Sequence, residues 1–154
     1  MQNKTATRWS LSHESSPNPA SLGTRPRGMP RAARHGMSNE HRKLDAFALA
    51  DRLVVEVYRA TQHFSPAETY GLRSQIRRAA ISVPTNIVEG CSRDSNREYR
   101  HFLSIAFGSA REVIYLMEVS VRLEMLDKAA TKPLIDLGGR IAAALAALKK
   151  SIGT

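Results

Sequence analysis

Apolar side chains recur at steps of three and four residues throughout the stretch from Ser65 to Gly90; they are Leu72, Ile76, Ala79, Val83 and Ile87. Because a helix turns once every 3.6 residues, this spacing places them on one face and predicts an amphipathic helix. Ser65 and Glu68 have the spacing of a capping box, and Pro66 suits the first helical position. The sequence therefore predicts a helix that begins at Ser65 and stops at Gly90.

Pro84 breaks this pattern. Proline has no backbone N–H, and its ring clashes with the carbonyl of Ala80, so an interior proline costs a helix about 3 kcal/mol. The apolar face nevertheless continues on both sides of Pro84. The stretch therefore predicts either a kinked helix or two helical pieces that meet at residues 82–84.

Three further stretches have the same periodicity. They predict a first helix over roughly residues 40–63, a third over 96–125 and a fourth over 128–152. No stretch alternates with the period of a strand. Four amphipathic helices joined by short links favour an all-α fold, an antiparallel up-down-up-down four-helix bundle over residues 40–152.

Local signals mark the ends of the last two helices. Ser95 and Glu98 form a second capping box, and Asp127 or Thr131 can cap the fourth helix. Gly108 lies in the middle of the third helix, where glycine costs about 1 kcal/mol relative to alanine. We expect Gly108 to allow the close approach of another helix.

Residues 1–39 have a different composition, rich in Ser, Pro, Arg and Gly and without an apolar period. Such a segment cannot offset its ordering entropy, so the sequence predicts a disordered basic tail. Residues 1–43 contain eight basic and two acidic residues, and so hold +6 of the net charge of +9. The tail is either a basic arm that contacts RNA or sequence upstream of a true start at Met37.

The cysteine content and the length of the apolar runs indicate the cellular compartment. Cys91 is the single cysteine, so no intramolecular disulfide is possible. No apolar run approaches the roughly 18 residues of a membrane span, and the N-terminus lacks the apolar core of a signal peptide. We expect a cytoplasmic protein that does not contact a membrane.

Two segments carry a resemblance to a known family. Pro66 to Gly90 reads P-x-E-x-Y-G-L-x-x-Q-I-R-R-A-A-x-S-V-P-x-N-I-V-E-G, and Glu98 to Ser109 reads E-Y-x-x-F-L-x-I-A-x-G-S. Over roughly residues 44–152 the chain resembles bacterial four-helix bundle proteins, some of which are encoded in intervening sequences of large-subunit ribosomal RNA genes. Within the motif we assign structural roles to Glu68, Gln75, Arg78, Pro84, Asn86, Glu89 and Gly90.

The resemblance also implies an assembly and partners. It implies a ring-shaped homopentamer. The chain is also similar to an accessory protein of diversity-generating retroelements, a basic pentameric bundle that works with a reverse transcriptase and nucleic acid. The resemblance therefore implies an RNA or ribonucleoprotein partner.

Six arginines are expected near the corner between the second and third helices. We predict that five bind nucleic acid through phosphates, for which guanidinium groups are suited: Arg73, Arg77, Arg93, Arg97 and Arg100. Arg78 precedes two alanines, and we expect it to be more buried and paired with a carboxylate. Alternatively, some of the arginines pair with nearby acids; Glu89, four residues before Arg93, is suitably placed.

Motifs for catalysis or metal binding are weak. Glu98 and His101 match one Glu-x-x-His motif, but di-iron bundles need two such motifs and two further glutamates. Arg97 and His101 are too close in sequence for the Arg-x4-6-His of the HEPN ribonucleases. We therefore expect no enzyme activity, no metal and no cofactor.

Two functions remain. The first is a non-enzymatic oligomeric scaffold that binds RNA or a ribonucleoprotein through its arginines. The second is a protein–protein interaction module whose arginines serve subunit contacts. Five residues widen the apolar stripes and predict self-association: Leu53, Leu103, Ile114, Leu116 and Ile135.

Overall fold

The computed structural model describes residues 40–152, in which four α-helices and no strand occur. The helices are α1 (Asp45–Ala60), α2 (Leu72–Cys91), α3 (Asn96–Arg122) and α4 (Lys128–Ser151). A 3₁₀ turn, Glu40–Lys43, precedes α1, and another, Pro66–Thr69, precedes α2. The predictions for residues 1–39 and for a start at Met37 lie outside the described residues.

The four helices form a bundle in which each packs on two neighbours. α1 contacts α2 and α4, and α3 contacts the same two helices, with the most extensive packing between α2 and α3. Short links reverse the chain between consecutive helices. The predicted antiparallel up-down-up-down bundle is therefore confirmed. None of the helices in residues 40–152 combines the length and the hydrophobicity that a membrane span requires.

The core receives side chains from every helix. The largest apolar side chains that are fully buried are Leu53, Val57, Ile76, Val83, Ile87, Leu103, Val113, Met117, Ile141 and Leu145. Burying each contributes about 1.5–3 kcal/mol. Leu53 and Leu103 thus belong to the core, and the expectation that they widen an outer surface is wrong. Ile114, Leu116 and Ile135 are half-buried.

The start of α2 differs from the prediction. The hydroxyl of Ser65 accepts a hydrogen bond from the Ala67 N–H at 3.3 Å and so caps the 3₁₀ turn, whereas α2 begins at Leu72. Glu68 accepts from the Leu72 N–H at 2.7 Å. Its carboxylate caps α2 and, by its charge, favours the positive end of the helix dipole. The capping box at Ser65 is therefore replaced by two successive caps.

The other two caps agree with the sequence. The Glu98 N–H donates to Ser95 Oγ at 3.2 Å, and the Ser95 hydroxyl donates to Glu98 Oε2 at 2.7 Å, so the cap of α3 is confirmed. For α4, the Ala130 N–H donates to Asp127 Oδ1 at 2.8 Å. Of the two candidates, Asp127 is thus the cap.

Pro84 lies inside one continuous helix, so the alternative of two helical pieces is wrong. Two side chains next to Pro84 bond to backbone carbonyls of the preceding turn. The Thr85 hydroxyl donates to Ile81 O at 2.9 Å, and the Asn86 amide donates to Ser82 O at 2.7 Å. Bonds of this kind to the preceding turn do not replace the missing proline N–H, and they often accompany a bend in the helix. The kink itself stays a prediction.

The glycines differ from their predicted roles. Gly90 does not end α2, which continues to Cys91; it is buried, and a Cβ there would lie 2.9 Å from Tyr99 Cδ2. Gly108 has no neighbour within 4 Å of its Cβ position, so a close helix contact there is wrong for this bundle. A close approach occurs instead at Gly138, whose Cβ would lie 2.8 Å from Ile114 Cγ1.

Candidate nucleic-acid interface

The six arginines do not form one cluster. α2 contains 20 residues; at 1.5 Å per residue, it separates Arg73 in its first turn from Arg93 beyond its end by about 30 Å. The predicted single cluster at the corner of α2 and α3 is therefore wrong. We call Arg73, Arg77 and Arg78 the groove arginines, and Arg93, Arg97 and Arg100 the corner arginines.

The groove arginines share a surface groove of about 510 Å³ between the end of α1 and the first turns of α2. Its lining consists of Tyr58, Thr69, Arg73, Ser74, Arg77, Arg78 and Ile81. None of these lining residues is a carboxylate. The groove therefore combines three positive charges with the hydroxyls of Thr69 and Ser74, the phenol ring of Tyr58 and an apolar wall.

Arg77 is held in place by α1 and the residue after it. Its Nε donates to Thr61 Oγ1 at 2.9 Å, and its Nη2 donates to Tyr58 O at 3.4 Å. The guanidinium lies over the Tyr58 ring, 4.4 Å from the centroid. Thr61 is itself fully buried and donates to Val57 O at 2.8 Å. Three contacts thus fix the orientation of Arg77.

Arg73 and Arg78 have neutral partners. Arg73 Nη2 donates to Thr69 Oγ1 at 2.6 Å, and Arg78 Nη2 donates to Gln75 Oε1 at 2.7 Å. Arg78 is exposed and has no carboxylate partner, so the expected buried ion pair is wrong; Arg77 holds the more buried position. Among residues 40–152, none of the groove arginines forms an ion pair. Their three charges are thus left without a counter-charge in contact.

The corner arginines have different surroundings. Arg93 forms the predicted ion pair with Glu89 one turn earlier, and its guanidinium lies 4.8 Å from the centroid of the Phe102 ring. Arg97 is exposed in the first turn of α3, and Arg100 is half-buried. Arg93 is therefore engaged with the protein, and Arg97 is the more accessible cation of this group.

Asn86, one of the motif residues, lies between the two groups of arginines. Its amide donates to Ser82 Oγ at 3.0 Å as well as to Ser82 O, and the hydroxyls of Ser82 and Ser109 share a hydrogen bond of 2.8 Å. This half-buried polar network joins α2 to α3. Its groups satisfy one another, which gives the motif at this position a structural explanation.

The sequence does not point to two residues of the groove region, Tyr58 and Thr61. By spacing, Thr61 belongs to the apolar stripe of α1, and the spacing cannot indicate that its hydroxyl accepts from Arg77. Tyr58 lies off that stripe and is 40% exposed. An aromatic residue off the apolar face is a signal that could have been noticed.

Metal binding finds no support in the described part of the chain. No three His, Cys, Asp or Glu side chains of residues 40–152 are grouped so as to hold a metal ion. His101 of the single Glu-x-x-His motif is exposed and meets Phe102 edge-on, with ring centroids 5.7 Å apart.

Comparison with known proteins agrees with this fold. The sequence profile of the 23S rRNA-intervening sequence proteins matches residues 42–147. The chain belongs to this family. Its fold is similar to the crystal structure of a protein of unknown function from the S23 ribosomal protein family of Bacteroides thetaiotaomicron, with a TM-score of 0.62 and 20% sequence identity. The similarity covers 68% of this chain and 98% of that one. No curated protein matches this chain.

Proposed function

We propose that this protein is a non-enzymatic, oligomeric scaffold that binds RNA, free or within a ribonucleoprotein, through its groove arginines. One observation carries the proposal. The guanidinium groups of Arg73, Arg77 and Arg78 share a groove without a lining carboxylate, and their hydrogen-bond partners are all neutral. Cations that lack a counter-charge favour a polyanion, and guanidinium forks fit phosphate oxygens.

The surroundings of the groove arginines also favour RNA. Phosphate contacts position a nucleic acid without reading its sequence, so we expect weak sequence selectivity. Arg97 and Arg100 would extend the contact for a longer strand, while Arg93 stays paired with Glu89.

The oligomer is the second element of this proposal. Three apolar side chains outside the groove are 39–44% exposed: Val55, Val88 and Ile105. An aromatic residue, Tyr70, is 93% exposed. Exposed apolar surface favours contacts with other protein chains. The resemblance to pentameric bundles implies five subunits, and it implies a reverse transcriptase or another ribonucleoprotein component as a further partner. Sedimentation of the protein checks this, and a stable monomer would contradict it.

A second candidate function, protein–protein interaction without RNA, is favoured by another surface. A groove of about 860 Å³ lies where α3 turns into α4. Its lining includes the apolar Val121 and Ile135 and charges of both signs, such as Arg122 and Asp127. Mixed charges around apolar side chains are typical of a protein-binding surface rather than of a phosphate-binding one.

The test is RNA binding measured by fluorescence anisotropy across a salt series. The groove variant changes Arg73, Arg77 and Arg78 to Ala. The control variant changes three exposed arginines elsewhere, Arg52, Arg111 and Arg140, to Ala. Both variants remove the same charge and keep residues 1–39. We expect the groove variant to bind more weakly, with a salt slope reduced by up to about one unit per arginine.

The control variant should remain close to the wild type. Circular dichroism checks that both variants are folded. Equal affinities and equal salt slopes for the two folded variants would contradict the groove as the RNA site. Absence of RNA binding by the wild type would favour the protein-interaction function.

A further inference from the structure

We infer that the groove holds an unpaired nucleotide of the RNA, with its base stacked on Tyr58 and its phosphate bound by Arg73 and Arg78. This inference rests on the proposed function and narrows its ligand to single-stranded RNA. It starts from the ring of Tyr58, which is 40% exposed although Arg77 lies over it. A single guanidinium covers only one face of a ring, and Tyr58 also lines the groove, so we assign the rest of this side chain as the surface that a base meets.

The volume of the groove suits one nucleotide. Its volume of about 510 Å³ lies within the range of about 300–1,000 Å³ that small ligands occupy. The bases of an RNA duplex are stacked on one another, and they offer no free face to an aromatic side chain. An unpaired base offers such a face, and stacking on an aromatic ring beside an arginine is how many proteins bind single strands.

The stacking surface is organised before RNA arrives. Arg77 donates to the buried hydroxyl of Thr61 and to the carbonyl of Tyr58, and these two hydrogen bonds restrict the movement of its guanidinium. A fixed platform loses little conformational freedom on binding. The base would therefore meet an aromatic ring and a guanidinium already in position.

The other lining residues match the remaining parts of a nucleotide. Arg73 and Arg78 have neutral partners and can bind phosphate oxygens. The hydroxyls of Thr69 and Ser74 line the same groove and suit a ribose 2′-OH. Ile81, 40% exposed, supplies an apolar wall for the edge of the base or sugar.

The experiment compares three fluorescein-labelled probes on the full chain by anisotropy. The first is a single-stranded RNA of about ten nucleotides, a length within the usual range of single-strand site sizes. The second is the duplex of this strand with its complement, and the third is an abasic strand of equal length. The variants are Tyr58→Leu, which removes the aromatic face, and Tyr58→Phe, which keeps it. Tyr115→Leu is the matched control, since Tyr115 is 58% exposed, its ring centroid lies 6.0 Å from the Arg122 guanidinium, and it does not line the groove.

We expect the wild type to prefer the single strand over both the duplex and the abasic strand. Tyr58→Leu should weaken binding of the single strand about tenfold, consistent with the loss of one stacked base, and leave the abasic strand unaffected. Tyr58→Phe and Tyr115→Leu should bind like the wild type. A purely structural role of Tyr58 would instead change all three probes alike.

Two results would overturn the inference and are distinguishable. In the first, the abasic strand or the duplex binds as well as the single strand, and Tyr58→Leu has no effect. If the groove variant still loses affinity in that case, the nucleotide site is wrong and the proposed function stands. If none of the probes binds to the wild type, the proposed function fails as well.

Discussion

The two ends of α2 use arginine in different ways. At its start, the groove arginines bond to neutral groups, and their charges face a groove without carboxylates. Beyond its end, Arg93 is paired with Glu89 and lies over Phe102, next to the close packing of Gly90 on Tyr99. The residue type and the one-turn spacing are similar at both ends. Glu89 supplies a counter-charge to Arg93, whereas no carboxylate of residues 40–152 forms an ion pair with the groove arginines.

The largest expected effect on stability is at the end of α2. Gly90→Val should destabilise the protein by about 1–3 kcal/mol, because its side chain would overlap Tyr99 and Phe102. Gly108→Val is the matched control, since nothing lies within 4 Å of that Cβ position. Urea unfolding measures both. Equal stabilities of the two variants would show that the end of α2 is not closely packed.

An intermediate effect is expected within the groove itself. Arg77→Ala should cost about 1–2 kcal/mol, because it removes two hydrogen bonds and the contact with the Tyr58 ring. Arg78→Ala should change stability by less than about 0.5 kcal/mol, since Arg78 is exposed. Thermal unfolding compares the two variants. A larger loss of stability for Arg78→Ala than for Arg77→Ala would support the sequence-based prediction that Arg78 is the buried, structural arginine.

The smallest effect concerns the ion pair at the corner. Arg93 and Glu89 have side chains that are 37% and 47% exposed. A double-mutant cycle with Arg93→Ala and Glu89→Ala should therefore give a coupling of about 0.2–1 kcal/mol. Neither change should alter RNA affinity by as much as the groove variant does. A loss of affinity for Arg93→Ala that matched the groove variant would remove the distinction between the two ends.

The sequence predicts the bundle well because its signals are local. The apolar period of each helix and the caps at Ser95 and Asp127 depend on residues within one or two turns. The link before α2 is harder to predict. Ser65 and Glu68 fit a capping box by spacing, but an intervening 3₁₀ turn assigns them to two different caps.

The candidate site depends on tertiary contacts that spacing does not contain. Arg77 and Arg78 are adjacent in sequence, and only the position of α1 decides which of them meets Thr61 and Tyr58. The contacts of two glycines are likewise not predictable from their spacing in the sequence. Gly90 and Gly108 both lie inside helices, but one is packed against Tyr99 and the other is open. Sequence indicates which residue types are available, whereas packing decides what each one contacts.

Photo-cross-linking of RNA tests the central claim most directly. The full chain is cross-linked to a single-stranded RNA that contains 4-thiouridine, and the modified peptides are identified by mass spectrometry. We expect cross-links in the peptides that line the groove, around Tyr58 and over residues 69–81. Cross-links confined to residues 89–102 or to residues 1–39, with none around the groove, would contradict it.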